Sequence, residues 1–214
     1  MTEGERTARE AARLTLARSL VAALRGRFAL IPDSRTVVAI AGESGSGKSV
    51  TATALAQVLG TDGLPAVVLH QDDYFLRPPR ANHEHRCAHL DSVGPHEVNL
   101  TLLAAHVAAF RAGRDGVTGP RADHASDSFR TRRLDFASVA VLVVEGTYAL
   151  QLADTDVRIF LDATHEDTAD RRRRRNRDID APIIDRILAI EHALIAPQAR
   201  RAHLLIDRDF VIRP

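Results

Sequence analysis

The 214-residue chain has one cysteine, one methionine and no tryptophan, and aromatic residues make up only 4% of it. A lone cysteine, Cys87, excludes an internal disulfide and sets the expectation of a reducing, cytoplasmic compartment. Long apolar runs are missing as well. The longest, residues 139–144, is far shorter than a membrane span, so no membrane partner is expected. Neither sign of charge is in excess: 29 Lys+Arg stand against 28 Asp+Glu, a net charge of +1. That balance argues against general nucleic-acid affinity and confines any basic patch to a local role. Lysine is almost absent, since Lys48 is the only one among those basic residues. A single ammonium kept in an arginine-rich chain points to a place too tight for a guanidinium fork.

The surroundings of Lys48 say what that place is. Residues 42–49 read Gly-Glu-Ser-Gly-Ser-Gly-Lys-Ser. The β-branched, apolar residues 36–41 before them suit a buried parallel strand, and residues 50–59 after them suit a packed helix ending near Gly60. G-x-x-x-x-G-K-[ST] between a strand and a helix is the pattern of a phosphate-binding loop. Its glycines turn the backbone tightly and aim N–H groups at a nucleotide's phosphates. The expected cofactors are ATP and Mg²⁺, with a nucleotide shell of Gly42, Ser44, Gly45, Ser46, Gly47, Lys48, Ser49 and Val50. Lys48 is expected to reach the β- and γ-phosphates, and the Ser49 hydroxyl to hold Mg²⁺.

Length fits one α/β domain over residues 1–214, with residues 1–34 as a helical lead-in. The arginines of the first 27 residues suggest a transit peptide, but Glu3, Glu5 and Glu10 are interspersed. Leu16, Leu20 and Leu24 with Ala17 and Val21 instead form one apolar face of a helix over residues 5–26. Further strands are expected at 65–70, 139–144, 157–161 and 203–206, and helices at 97–112, 166–178 and 183–195. Residues 76–96 carry prolines, histidines and arginines without periodicity and read as a long loop. Residues 113–133 read as irregular but for a short hairpin. Strands alternating with helices predict a three-layer α/β sandwich around a parallel sheet, with ligands outside the carboxyl ends of the strands.

Several residues fall at that edge. Asp72 and Asp73 follow the second strand, where a phosphoryl-transfer enzyme needs a carboxylate for the attacking hydroxyl. Glu145 ends the most apolar strand and suits the water shell of the magnesium ion. In the arginine run 171–177, Arg173, Arg174 and Arg177 fall near one helical face, from which they could fork onto the transferring phosphoryl group. His83, His85, Cys87 and His89 cluster, but their alternate spacing fits no usual zinc pattern.

Taken together, these stretches resemble the uridine kinase and nicotinamide riboside kinase group of P-loop small-molecule kinases. The likeness rests on G-E-S-G-S-G-K-S, on His70-Gln71-Asp72-Asp73-Tyr74-Phe75, on Val144-Glu145-Gly146-Thr147 and on the arginine run ending Arg-Asn-Arg-Asp. It runs from about residue 36 to 210. It implies that Asp72 contacts the acceptor hydroxyl, with Tyr74 beside it. It also implies that residues 162–180 form a mobile lid carrying Arg173, Arg174 and Arg177. Asp91, in Leu90-Asp91-Ser92, would bind ribose hydroxyls, and Asp123 falls in the stretch matching the family's base-recognition segment. That segment is Pro-Val-Tyr-Asp-like with a histidine a few residues later, whereas here Pro120-Arg121-Ala122-Asp123-His124 lacks the tyrosine and Asp127 stands at the histidine's place.

The expected function is therefore ATP-dependent phosphorylation of a hydroxyl on a nucleoside-like small molecule. A nucleotide-binding protein without transfer activity, and a nucleic-acid-associated ATPase, are the other classes. The pairing of Asp72 with an intact Lys48 and Ser49 speaks against the first, and near-neutral charge against the second. Pantothenate or a sugar phosphate as acceptor, GTP as donor, and a homo-oligomeric state all stay open.

Overall fold

A computed structural model describes residues 3–28, 30–168 and 182–213. The core is a six-stranded sheet in the order β2-β5-β1-β6-β7-β8. Its strands are β1 (Thr36–Gly42), β2 (Ala66–His70), β5 (Val141–Glu145), β6 (Val157–Asp162), β7 (Leu204–Asp207) and β8 (Ile212–Arg213). All neighbours pair in parallel except β7, the strand expected at 203–206, and β8, an antiparallel edge strand that was not expected.

Both faces of the sheet are covered, which is why β1 and β5 read as continuous apolar runs. Val38 and Ile40 of β1 point to one side. There they meet Leu20 and Leu24 of α1 (Glu3–Arg27) and Leu55 and Leu59 of α2 (Lys48–Thr61). The apolar face expected of the first helix is thus buried. Val37, Ala39 and Ala41 point to the other side, toward Leu103, Val107 and Phe110 of α4 (Leu100–Arg111) and Ile195 of α5 (Pro182–Ile195).

Two irregular segments are structured after all. Residues 79–88, expected as loop, form helix α3 (Pro79–Ala88), with Pro79 at a first-turn position where its missing N–H costs nothing. Residues 113–133 contain a full antiparallel pair, β3 (Val117–Asp123) and β4 (Ser128–Leu134), seven residues each rather than a short hairpin. The hairpin tip clasps α3, because the Asp127 carboxylate accepts a hydrogen bond from the Arg80 N–H at 2.6 Å. No described helix is long and apolar enough to cross a membrane. Of the helix expected at 166–178, residues 165–168 form a turn, and Arg173, Arg174 and Arg177 lie outside the described residues.

Candidate active site

The carboxyl ends of β1, β5 and β2 are level, since Ile40 and His70 both pair with Glu145. The phosphate loop, Asp72 and Asp73, and Glu145 all emerge from this edge. Gly42 closes β1 at φ +151°, and a Cβ there would lie 2.7 Å from the Leu161 carbonyl oxygen. Gly47, at φ +105°, is the N-cap of α2. A side chain at either position would be strained or would fill the cradle, so only glycine lets the backbone wrap a ligand here. The first turn of α2 contains no acidic residue, so the positive end of its dipole is left for an anion. Lys48 folds back within this loop, its Nζ donating to the Glu43 carbonyl at 2.9 Å. Ser49 is exposed beside it, and Phe210, in the turn after β7, sets its ring against Gly47. The cradle, the ammonium and the exposed hydroxyl form a donor set that fits a magnesium-nucleotide.

The segment after β2 assigns a separate task to each residue. Gln71 is fully buried and accepts the Tyr148 N–H at 2.8 Å while donating to Thr147 Oγ1 at 3.1 Å. It thereby fixes the turn that follows β5. Asp72 is exposed and lines a cavity of about 160 Å³ together with Phe75, Arg77, Pro79, Asn82, His83, Arg86 and His124. Asp73 turns the other way: its carboxylate accepts the Ala122 N–H at 2.9 Å and pairs with Arg132 at 3.2 Å, anchoring the hairpin. The two adjacent aspartates are thus separated, and only Asp72 reaches the cavity.

Tyr74 is not with Asp72. It is buried, and its hydroxyl donates to His106 Nδ1 at 2.7 Å; burial pushes the phenol up to about 12 and the imidazole down. Asp91 sits exposed on the turn Leu90–Ser92 and does not line the cavity. Asp123 shapes the hairpin tip, where hydrogen bonds from Ser126 and Ala125 hold its carboxyl below the usual carboxylate range. The neighbour that does reach the cavity is His124.

Glu145 is buried, and its Oε1 shares a 2.7 Å hydrogen bond with His70 Nδ1. That bond raises the His70 imidazole above its ordinary 6.5, against the opposing effect of burial. The cationic form of His70 is therefore favoured by folding. Its contribution to stability is full below pH 6.5 and is lost as the pH climbs through the raised value. In equilibrium unfolding, His70→Gln is expected to be less stable than the parent near pH 6, with the gap narrowing toward pH 8. A gap independent of pH would show that the pair is not charge-linked.

Asn82 and Arg86 went unrecognised in the sequence. The signals were a first-turn proline and the i, i+4 spacing that puts both on one face of α3. Arg86 makes a bidentate pair with Glu97 and a 3.0 Å contact with Glu191, while its guanidinium stacks 5.4 Å over Phe75. Burial raises the Glu191 carboxyl, and the two glutamates keep Arg86 charged. Asn82 Nδ2 donates to Glu97 at 3.2 Å, and its Oδ1 is buried with no hydrogen-bond partner.

Known proteins match this arrangement. The family model described as Phosphoribulokinase / Uridine kinase matches residues 37–211. The bifunctional alpha-galactosidase/sucrose kinase AgaSK of Mediterraneibacter gnavus is 31% identical over 191 residues. That match covers 83% of this chain but only 20% of AgaSK, so the chain spans about a fifth of that relative's length. The uridine kinase of Staphylococcus aureus (strain JH9) is 27% identical over 184 residues, 80% of this chain and 86% of the enzyme. The solved structure of a possible uridine kinase from Bacillus stearothermophilus superposes with a TM-score of 0.60 at 19% identity. It covers 91% of this chain and 97% of that one, a likeness of fold. With a family match over most of its length and a phosphate loop built as above, the chain belongs to the phosphoribulokinase / uridine kinase family of P-loop small-molecule kinases.

Proposed function

We propose that the chain transfers the γ-phosphoryl group of ATP to a hydroxyl of a small polyhydroxylated acceptor, a sugar or a sugar-like moiety, seated against Asp72. The observation that carries the reading is the polar cavity itself. Asp72 opens into it, Asn82, whose buried Oδ1 has no hydrogen-bond partner, lines it, and its aromatic residue, Phe75, is already covered by the Arg86 guanidinium. A cavity of this kind suits hydroxyls better than a stacked base. The similarity to a protein named sucrose kinase supports the same class. The similarity to uridine kinases favours a second reading, in which the ribose of a nucleoside takes that place.

In the reaction, Asp72 orients the acceptor hydroxyl and takes its proton as the oxygen bonds to the γ-phosphorus and the bond to the ADP oxygen breaks. Lys48 and the loop amides hold the β- and γ-phosphates as negative charge shifts toward the leaving ADP. Ser49 would hold Mg²⁺ directly and Glu145, steadied by His70, would face its water shell; the ion would supply neutralisation of the phosphate charge. Arg173, Arg174 and Arg177 are assigned to the phosphates from the sequence alone.

Asn82 provides the test of acceptor placement. Replacing it by Ala removes an acceptor that a bound hydroxyl would satisfy, which should raise the KM for the phosphate acceptor about tenfold and leave that for ATP unchanged. Comparing sugars with nucleosides in this assay separates the two readings. An unchanged acceptor KM would remove Asn82, and the cavity with it, from acceptor binding.

A further inference from the structure

Three side chains from separate segments, none of which lines the cavity that holds Asp72, converge beside the phosphate loop. Glu43 directly follows β1, His165 lies in the turn after β6, and His192 lies in the last turn of α5. The Glu43 side chain is only 6% exposed. Its Oε1 lies 2.7 Å from His192 Nδ1, and its Oε2 lies 3.2 Å from His165 Nδ1 while accepting the His165 backbone N–H at 2.6 Å. The two imidazoles meet edge to face, with centroids 5.6 Å apart and planes at 63°. One ligand atom from each of the three residues lies within 4.8 Å of the others. This is the sole such grouping among the described residues.

We propose that Glu43, His165 and His192 bind a divalent transition-metal cation of the zinc type, distinct from the magnesium of the nucleotide. The donor set decides the class of ion. Two imidazole nitrogens and one carboxylate suit Zn²⁺, whereas Mg²⁺ takes oxygen ligands and keeps its waters. The geometry is close to what such an ion needs. Tetrahedral bonds of about 2.0–2.1 Å set neighbouring donors roughly 3.3 Å apart. The Glu43–His165 pair is already at 3.2 Å. The Glu43–His192 contact runs to the other carboxylate oxygen, Oε1, at 2.7 Å, so one ion needs the carboxylate to turn a single oxygen toward both imidazoles, and a His192 side chain 44% exposed has room to follow. Each imidazole would present Nδ1 as a lone pair, with its proton on Nε2. Three protein ligands leave a fourth position for water, and the exposed His192 side gives the ion a route in.

The fold gives the site a consequence. A bound ion would tie the second residue of the phosphate loop to α5 and to the loop after β6. The second of these links is already drawn once by Thr168, whose hydroxyl donates to the Ser44 carbonyl at 3.0 Å. Binding to the native state alone would raise the melting temperature with metal concentration.

The test uses the full chain, stripped with chelator and kept in excess Mg²⁺ to fill oxygen sites. It is titrated with Zn²⁺ by calorimetry and with Co²⁺ by visible absorption. The expected result is one ion per chain, a tetrahedral Co²⁺ spectrum and a raised melting temperature. His192→Gln and His165→Gln, which keep a donor for the Glu43 carboxylate, should each weaken binding at least tenfold while melting like the parent without metal. A double variant His83→Ala/His89→Ala, altering the exposed cluster near Cys87, should bind as the parent does. No stoichiometric ion, an affinity unchanged in both glutamine variants, or a loss confined to the His83/His89 variant would each overturn the proposal.

Discussion

Lys48→Ala should fold normally and lose about a hundredfold to a thousandfold in kcat/KM for phosphoryl transfer, the scale of removing a preorganised electrostatic contact to a reacting group. Little stability should go with it, because the ammonium donates to the Glu43 carbonyl, within the same loop. That bond is local and must be exchanged when phosphate arrives. Lys48→Arg should fail nearly as badly. The loop turns tightly at Gly42 and Gly47, a planar fork is bulkier than a compact ammonium, and arginine is the basic residue this chain uses everywhere else. Steady-state kinetics beside far-UV circular dichroism separates the effects. Turnover within tenfold of the parent in Lys48→Ala would mean that this loop does not hold the transferred phosphate.

Asp72→Asn should keep ATP affinity and lose at least about a hundredfold in kcat, the range for a lost general base. The neighbouring substitution is the control that makes this specific. Asp73→Ala removes the carboxylate that receives the Ala122 N–H and pairs with Arg132, so it should loosen the hairpin and lower stability. If the kinetic loss followed Asp73 and spared Asp72, the assignment of the two carboxylates would be reversed.

How far these residues could be read without coordinates depends on how local their causes are. The phosphate loop was legible because its pattern, its strand and its helix lie within some two dozen consecutive residues, and its strained backbone shows in the sequence as glycine. The Asp72-Asp73 stretch was legible as a candidate site but not as a division of labour. What turns Asp73 away from the cavity is a backbone N–H at residue 122 and an arginine at 132, roughly fifty residues on. Helix α3 was missed for a related reason. It has no apolar stripe to reveal it, and what packs it is a polar network of Asn82 and Arg86 with Glu97, extended by Arg86 to Glu191 on α5. The hairpin hid likewise behind β4, Ser-Phe-Arg-Thr-Arg-Arg-Leu, in which Leu134 is the buried residue. Tyr74 shows the converse error: a motif position near the site read as ligand-facing, while its ring and hydroxyl are taken up by the core.

The central claim is acceptor-dependent phosphoryl transfer through Asp72, and ADP release measures it directly. The parent and Asp72→Asn proteins would be given Mg-ATP and a panel of sugars, sugar phosphates, nucleosides, nicotinamide riboside and pantothenate, with ADP followed by a coupled assay. The account predicts ADP release that appears with a hydroxyl acceptor, strongest for the sugar class, and falls to background in Asp72→Asn. ADP release of equal rate with and without acceptor, or undiminished in Asp72→Asn, would contradict it.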